Sequence, residues 1–478
     1  MSPKIVAVGI ALALAGALVA DEVRPAVPSH PAALIPPPAS GALACPAAVE
    51  ADGRAYLHLA NLGDDESVVR ITLTGRRGEQ AVLRRRFAPG AAETLRLHGR
   101  VEGDAGAVID HAGGRLVASH SLWFTRRAEP GSLRGGAAAA CVRAGSPVLA
   151  VPHVRTLDAD TRLVLYNPGR AASYVSVTLV QGKRAFSPQN LTRRRVAPGR
   201  RRSFRLGDFA FDAGELTAVI TADSGGRVVG EGLVTTARGT ALVAAVEPTT
   251  QVLAASAASG SGSSIGFTTV GEEDAGLASR VVGPTGQGTA AGLPVTLAPM
   301  TTARAAIPSR SRGGPAAVAT TVEVGSSVVA GTSWLDERVG GADIAATESG
   351  APALRWAAVF GSPEPEGRGS LVRAVLVNPG DAPATIRVRR LGGEGAEDLL
   401  VDPGRLVRLP VGRGSGTFAI EIESDQPVFL MLDAVASRGS GSTGTVFGFG
   451  IAATPSTVPP AVAVRLEPRL GVPAPLGQ

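Results

Sequence analysis

The side chains that could do chemistry are few and scattered. Histidine occurs only at 30, 58, 98, 111, 120 and 153. His120 stands between Ser119 and Ser121, with Trp123 following, and is the nearest approach in the sequence to a Ser/His pair. Neighbours on a strand face opposite ways, so these residues do not make a catalytic hydrogen bond with one another. His58, between Leu57 and Leu59, alternates outward from an apolar face. The chain has no Ser-x-x-Lys and no phosphate loop. Gly260-Ser261-Gly262-Ser263-Ser264 and Gly439-Ser440-Gly441-Ser442 read as flexible turns. Asp64-Asp65-Glu66 and Glu272-Glu273-Asp274 lack the alternating oxygens of a calcium loop and read as turn caps. The expectation is a non-enzymatic protein with no catalytic residue, no cofactor and no metal.

Arginine supplies 45 of the 47 basic residues, a bias that a GC-rich genome explains without function. One pattern stands apart. Arg84-Arg85-Arg86 precedes Pro89, and Arg193-Arg194-Arg195 precedes Pro198, with Arg200-Arg201-Arg202 just beyond the turn. Those last six bracket one hairpin and form a candidate anion-binding patch for phosphate or carboxylate groups. Period-2 geometry would turn Arg85 inward with Leu83 and Phe87, which requires either an edge strand or an ion pair. With three Trp and three Tyr in an exported chain, nucleic acid is excluded as a partner. The two cysteines, Cys45 and Cys141, fall on the first and last strands of one repeat unit and are expected to form a disulfide.

The elements that must position these residues come from a repeat. Asn61-Leu62-Gly63, Asn167-Pro168-Gly169, Thr269-Val270-Gly271 and Asn378-Pro379-Gly380 recur at steps of 167 − 61 = 106, 269 − 167 = 102 and 378 − 269 = 109. A second mark follows each: Pro89-Gly90, Pro198-Gly199, Pro299-Met300 and Pro403-Gly404. Apolar residues alternate with period 2 around the first mark, as in Leu57, Leu59, then Val69, Ile71, Leu73, and again Leu163, Leu165, then Val175, Val177, Leu179. Each mark is therefore a turn between strands, with glycine expected where φ is positive. Seven or eight short strands per hundred residues predict an all-β chain of four tandem immunoglobulin-like antiparallel β-sandwich domains.

The boundaries follow from the copies. Residues 1–20, with Lys4 and the apolar run Ile5 to Ala20, read as a signal peptide or membrane anchor, and 21–41 as a Pro-rich linker. The repeats span 42–145, 146–250, 251–350 (divergent) and 351–454, followed by a Pro-rich tail at 455–478.

The Asn-Pro-Gly turn with its alternating valines, the later Pro-Gly turn, the cysteine pair and the apolar N-terminus together resemble a group of exported actinobacterial proteins catalogued as a domain of unknown function. The resemblance covers Cys45 to Ala453 and implies association with the cell envelope and its glycan machinery; it carries over no catalytic residues. The expected role is an envelope scaffold or binding protein, extracellular or on the outer face of the membrane. Expected partners are envelope glycan, an anionic polymer or another envelope protein, with membrane contact only through the N-terminal segment. Two alternatives are a polyanion- or glycan-binding protein using the arginine hairpin and a hydrolase whose site lies between domains.

Overall fold

A computed structural model describes residues 40–455, apart from 52, 125–134, 144, 224–225, 237–238, 258–262, 290–291, 308–313, 337–342, 349, 363–369, 394, 439–444 and 453. The signal or anchor, His30, most of the linker, nearly all of the tail and the Gly-Ser run at 439–442 lie outside the described residues. Within them the chain is all β, with several small antiparallel sheets, two short 3-10 turns and no α-helix. No helix among the described residues is long and apolar enough to cross a membrane.

All four repeats share one eight-strand order. In the first, Ser40–Val49 pairs with Ala105–Ala112, which pairs with Ser67–Gly75, which pairs with Gln80–Phe87. The second sheet runs Ala92–Arg96, Arg54–Asn61, Leu116–Phe124, Gly135–Ala140. Strands one, three, four and six thus make one sheet, and strands two, five, seven and eight the other. An immunoglobulin domain instead groups one, two, four and five against three, six and seven. The expected two-layer packing is present, but its strand order differs from that plan. The two layers close on a shared core of inward residues that includes Leu57, Leu59, Ile71, Leu73 and Leu122. The second repeat has the same order. In the third, strands two and three fuse into Ser263–Gly283, and strands six and seven into Ala316–Asp336. In the fourth, Gly416–Arg438 likewise serves both layers.

The two repeat marks are bonded to each other, which explains why they recur together. Asn61, Asn167 and Asn378 are fully buried. Each side-chain carbonyl accepts from the N–H of the turn glycine (Gly63, Gly169, Gly380), at 2.8–3.0 Å. Each side-chain amide donates to a carbonyl four residues on (Asp65, Ala171, Ala382) and to one just before the Pro-Gly turn (Phe87, Val196, Val401). One asparagine therefore clips two turns, and each bond contributes roughly 1 kcal/mol. The expected positive φ is found at the second mark, in Gly90, Gly199, Gly404 and also Met300, and at the first mark in Gly271 alone. Glycines 63, 169 and 380 do not adopt it; at Gly63 the constraint is space, because a Cβ would meet the Gly114–Arg115 backbone at 2.6–2.9 Å. In the third copy Thr269 replaces the amide and donates only to the Ala298 and Thr301 carbonyls. With the clip reduced, the chain runs on as one long strand. Met300 holds a left-handed backbone there while its side chain packs near Val329 and Val219.

The repeats close into a ring resembling a four-bladed propeller. The second sheet of each packs on the first sheet of the copy before it, and the first repeat's second sheet packs on the fourth repeat. The eighth strands, Gly135–Ala140, Gly239–Ala244, Asp343–Glu348 and Thr445–Ala452, neighbour one another in cyclic order. A head-to-tail interface that closes on itself gives this geometry.

Candidate functional site

Most of the reactive side chains named above lie in the junctions between repeats. At the first, Arg201 (5% exposed) forms an ion pair with Glu50 (3%) and donates to the Val49 carbonyl. Burial pushes the Glu50 carboxyl above its usual range even with Arg201 beside it. Arg200 donates to the carbonyls of Gly75 and Arg76. The six hairpin arginines do not form one patch: Arg194 and Arg195 lie on Arg194–Val196 in the first sheet, with Arg193 just before it bonded to Asp223 at 3.3 Å. Arg201 and Arg202 lie on Arg201–Arg205 in the other sheet. Arg85 sits on an edge strand and reaches Glu93 of the opposite sheet at 3.2 Å, which resolves the inward charge.

Cys45 and Cys141 are disulfide-bonded, as expected. His120 is fully buried beside them, its Nδ1 3.8 Å from Cys141 Sγ and its Nε2 3.3 Å from Glu231 of the second repeat. Cys45, Cys141 and His120 are close enough to bind a metal together, but the disulfide consumes both thiolates that a metal would need.

The third and fourth repeats meet at Arg280, which bonds the Pro379 carbonyl and Asp381. Beside it opens a cleft of about 350 Å³ lined by Gln251, Ser279, Thr320, Thr321 and Pro427 among others.

At the fourth–first junction His58 faces away from its own core, as its outward alternation requires, yet it is fully buried because the fourth repeat covers it. Its Nε2 is 2.8 Å from Ser121 Oγ and its Nδ1 is 3.0 Å from Thr94 Oγ1, which in turn meets Thr417 at 2.8 Å. Its pKa is lowered to about 3, first by burial and then by His120, so the ring is neutral. Nearby, Arg115 and Arg389 hold Glu421, whose carboxyl is nevertheless raised by burial.

The second–third junction brings together residues of two repeats, of which only Ser264 carries a local sequence mark, the Gly-x-Ser-x-Gly spacing of Gly262-Ser263-Ser264-Ile265-Gly266. His153 Nε2 lies 2.9 Å from Ser264 Oγ and 3.2 Å from Ser333 Oγ. Its Nδ1 lies 3.4 Å from Glu215 Oε1, and Thr302 donates to that oxygen at 3.1 Å. The His153 and Glu215 side chains are 6% and 13% exposed. His153 has a φ of 53°, a left-handed conformation that a β-carbon disfavours. Ser264, expected in a flexible turn, is instead the second residue of the strand Ser263–Gly283.

A sequence signal for the junctions existed in glycines inside strands, which mark close approach by another backbone or side chain. A Cβ on Gly266 would collide with Glu215 and His153, one on Gly361 with His58 and Thr94, and one on Gly106 with the Tyr166 ring.

No curated protein matches the chain. Among solved structures, Thermotoga maritima 1070 is 17% identical, with 22% of this chain and 94% of that chain covered and a TM-score of 0.17. The glycoside hydrolase family 32 protein from Bifidobacterium adolescentis is 11% identical, with 85% and 99% covered and a TM-score of 0.15. A tetra-tandem repeat from the extending region of a large adhesion protein is 11% identical, with 88% and 100% covered and a TM-score of 0.08. Likeness at these scores carries no argument about activity. The sequence profile of one family spans residues 96–398, more than half the chain, and the protein thereby belongs to the family of unknown function DUF5719.

Proposed function

We propose that this chain is an exported cell-envelope scaffold or binding protein, and that its four repeats act as one closed ring. The observation that carries the reading is where the polar groups go. Arg200, Arg201, Glu231, His58 and Arg280 contact the neighbouring repeat, so each repeat invests its binding capacity in its neighbour. A ring fixed in this way presents its outer edges in a constant geometry, which favours multivalent contact with an extended partner. Envelope glycan, an anionic polymer or another envelope protein suits that surface.

The anion-binding reading is best carried by the arginines left at the rim. Arg86 and Arg193 have side chains 76% and 75% exposed, and Arg84 and Arg195 are exposed as well. These four can be replaced without disturbing the Arg201–Glu50 junction. The test is retention of purified protein on isolated envelope material. Changing Arg84, Arg86, Arg193 and Arg195 to Ser should weaken retention and flatten its salt dependence if the rim binds polyanions. Unchanged retention leaves the scaffold role to other surfaces, and no retention by the unaltered protein rejects envelope binding altogether.

A further inference from the structure

We infer that the second–third junction is a serine-nucleophile site for cleaving carboxylic esters, with Ser264 as nucleophile, His153 as general base and Glu215 as the group that orients it. Nucleophilic catalysis needs a hydroxyl within hydrogen-bond reach of a base that a third group holds in place. Those distances are present: 2.9 Å from Ser264 Oγ to His153 Nε2, and 3.4 Å from His153 Nδ1 to Glu215 Oε1. Glu215 accepts from Thr302 as well, so its carboxylate is held from two sides.

Two further observations accompany this cluster. His153 keeps a left-handed backbone, a strained conformation that collects at functional sites. Gly266 leaves room for the imidazole–carboxylate contact, since any side chain there would displace both partners. Ser333 completes the set. Its Oγ is 3.2 Å from Ser264 Oγ, where a hydroxyl can donate to oxyanion charge as it develops.

In the acylation step Ser264 Oγ bonds to the ester carbonyl carbon, its proton passes to His153 Nε2, and the carbonyl π pair moves onto oxygen. Collapse of the tetrahedral adduct breaks the bond to the leaving alkoxide, which takes the proton from Nε2 and departs as an alcohol. Water repeats the sequence on the acyl-serine, releasing a carboxylic acid and restoring the Ser264 hydroxyl. Throughout, Glu215 accepts from Nδ1–H and keeps the tautomer with Nε2 free as base.

This activity is independent of the scaffold reading, because covalent labelling tests one and envelope retention the other. The full chain should be treated with a fluorescent fluorophosphonate and the labelled peptide identified by mass spectrometry, alongside hydrolysis of p-nitrophenyl acetate. Label is expected on Ser264. Ser264→Ala should abolish it and return hydrolysis to the buffer rate, and His153→Asn should slow labelling about 10⁴-fold or more. Because Ser264→Ala removes a single oxygen, an unchanged unfolding midpoint would show that the loss is chemical. Ser121→Ala, at the fourth–first junction, should label normally. No label on the unaltered protein, label on Ser333, or label persisting in Ser264→Ala would each overturn the assignment.

Discussion

His58 and His153 are buried in two different junctions, and the contrast between them separates a structural histidine from a reactive one. Both bond a serine of strand seven, Ser121 and Ser333, which occupy corresponding places in their repeats. Both sit against a glycine of the neighbouring repeat. Knob and hole have traded places, however: His58 and Gly266 each stand three residues before the first repeat mark (61 − 58 = 3 and 269 − 266 = 3). In one junction the second strand supplies the imidazole; in the other it supplies the space. The partner at Nδ1 also differs, a threonine hydroxyl for His58 and a carboxylate for His153. A fully enclosed imidazole without an acid stays neutral and serves as a hydrogen-bond hub. An imidazole whose Nδ1 faces a carboxylate is held with Nε2 toward the hydroxyl beside it, which is the geometry a general base requires.

The largest effect should come from removing that difference. Glu215→Gln leaves the shape of the second–third junction intact and should lower the fluorophosphonate labelling rate by about 10³-fold or more, as loss of a triad acid does elsewhere. Thr94→Val at the other histidine should leave labelling unchanged. Equal losses in both variants would mean that the two junctions are alike.

Filling the glycine holes comes next. Gly361→Ala places a methyl where His58 and Thr94 sit and should destabilise the fold by about 1–3 kcal/mol, read as a lower urea midpoint. Gly266→Ala should cost a similar amount and also abolish labelling, because it displaces His153 and Glu215 together.

The smallest effect concerns pH. His58 is held near a pKa of about 3, whereas a free histidine titrates near 6.5. Below 6.5 the unfolded chain takes up a proton that the folded chain refuses, so stability falls as pH drops from about 6.5 toward 3. The slope from this residue is at most about 1.4 kcal/mol per pH unit. His111, lowered to about 4, adds a loss of the same sign over a narrower range. Urea midpoints at pH 7 and pH 5 should therefore differ more in the unaltered protein than in His58→Gln. An identical difference would show that His58 is not held neutral.

Much of the architecture was legible because its causes are local. The Pro-Gly turns need positive φ, strands alternate with period 2, and both leave a mark within a few residues. The Asn-x-Gly mark was visible, but its cause was misread. Conformational freedom was inferred for Gly63, Gly169 and Gly380, whereas the reason for the motif is the buried amide that joins two turns some 26 residues apart at Asn61 and Phe87. Thr269 shows the consequence of losing that amide, since its two strands become one. The arginine hairpin was likewise visible as a charge cluster. That Arg201 would be spent on Glu50, 151 residues away, was not.

By itself, then, the sequence determined the all-β class, the fourfold repeat, the turn positions and the pairing of Cys45 with Cys141. Tertiary structure alone decided the ring, the strand order and the junction chemistry. His153 and Ser264 are 111 residues apart and belong to different repeats, so no spacing rule connects them. They meet because each second sheet packs on the preceding first sheet, and because Gly266 leaves out the one atom group that would keep them apart.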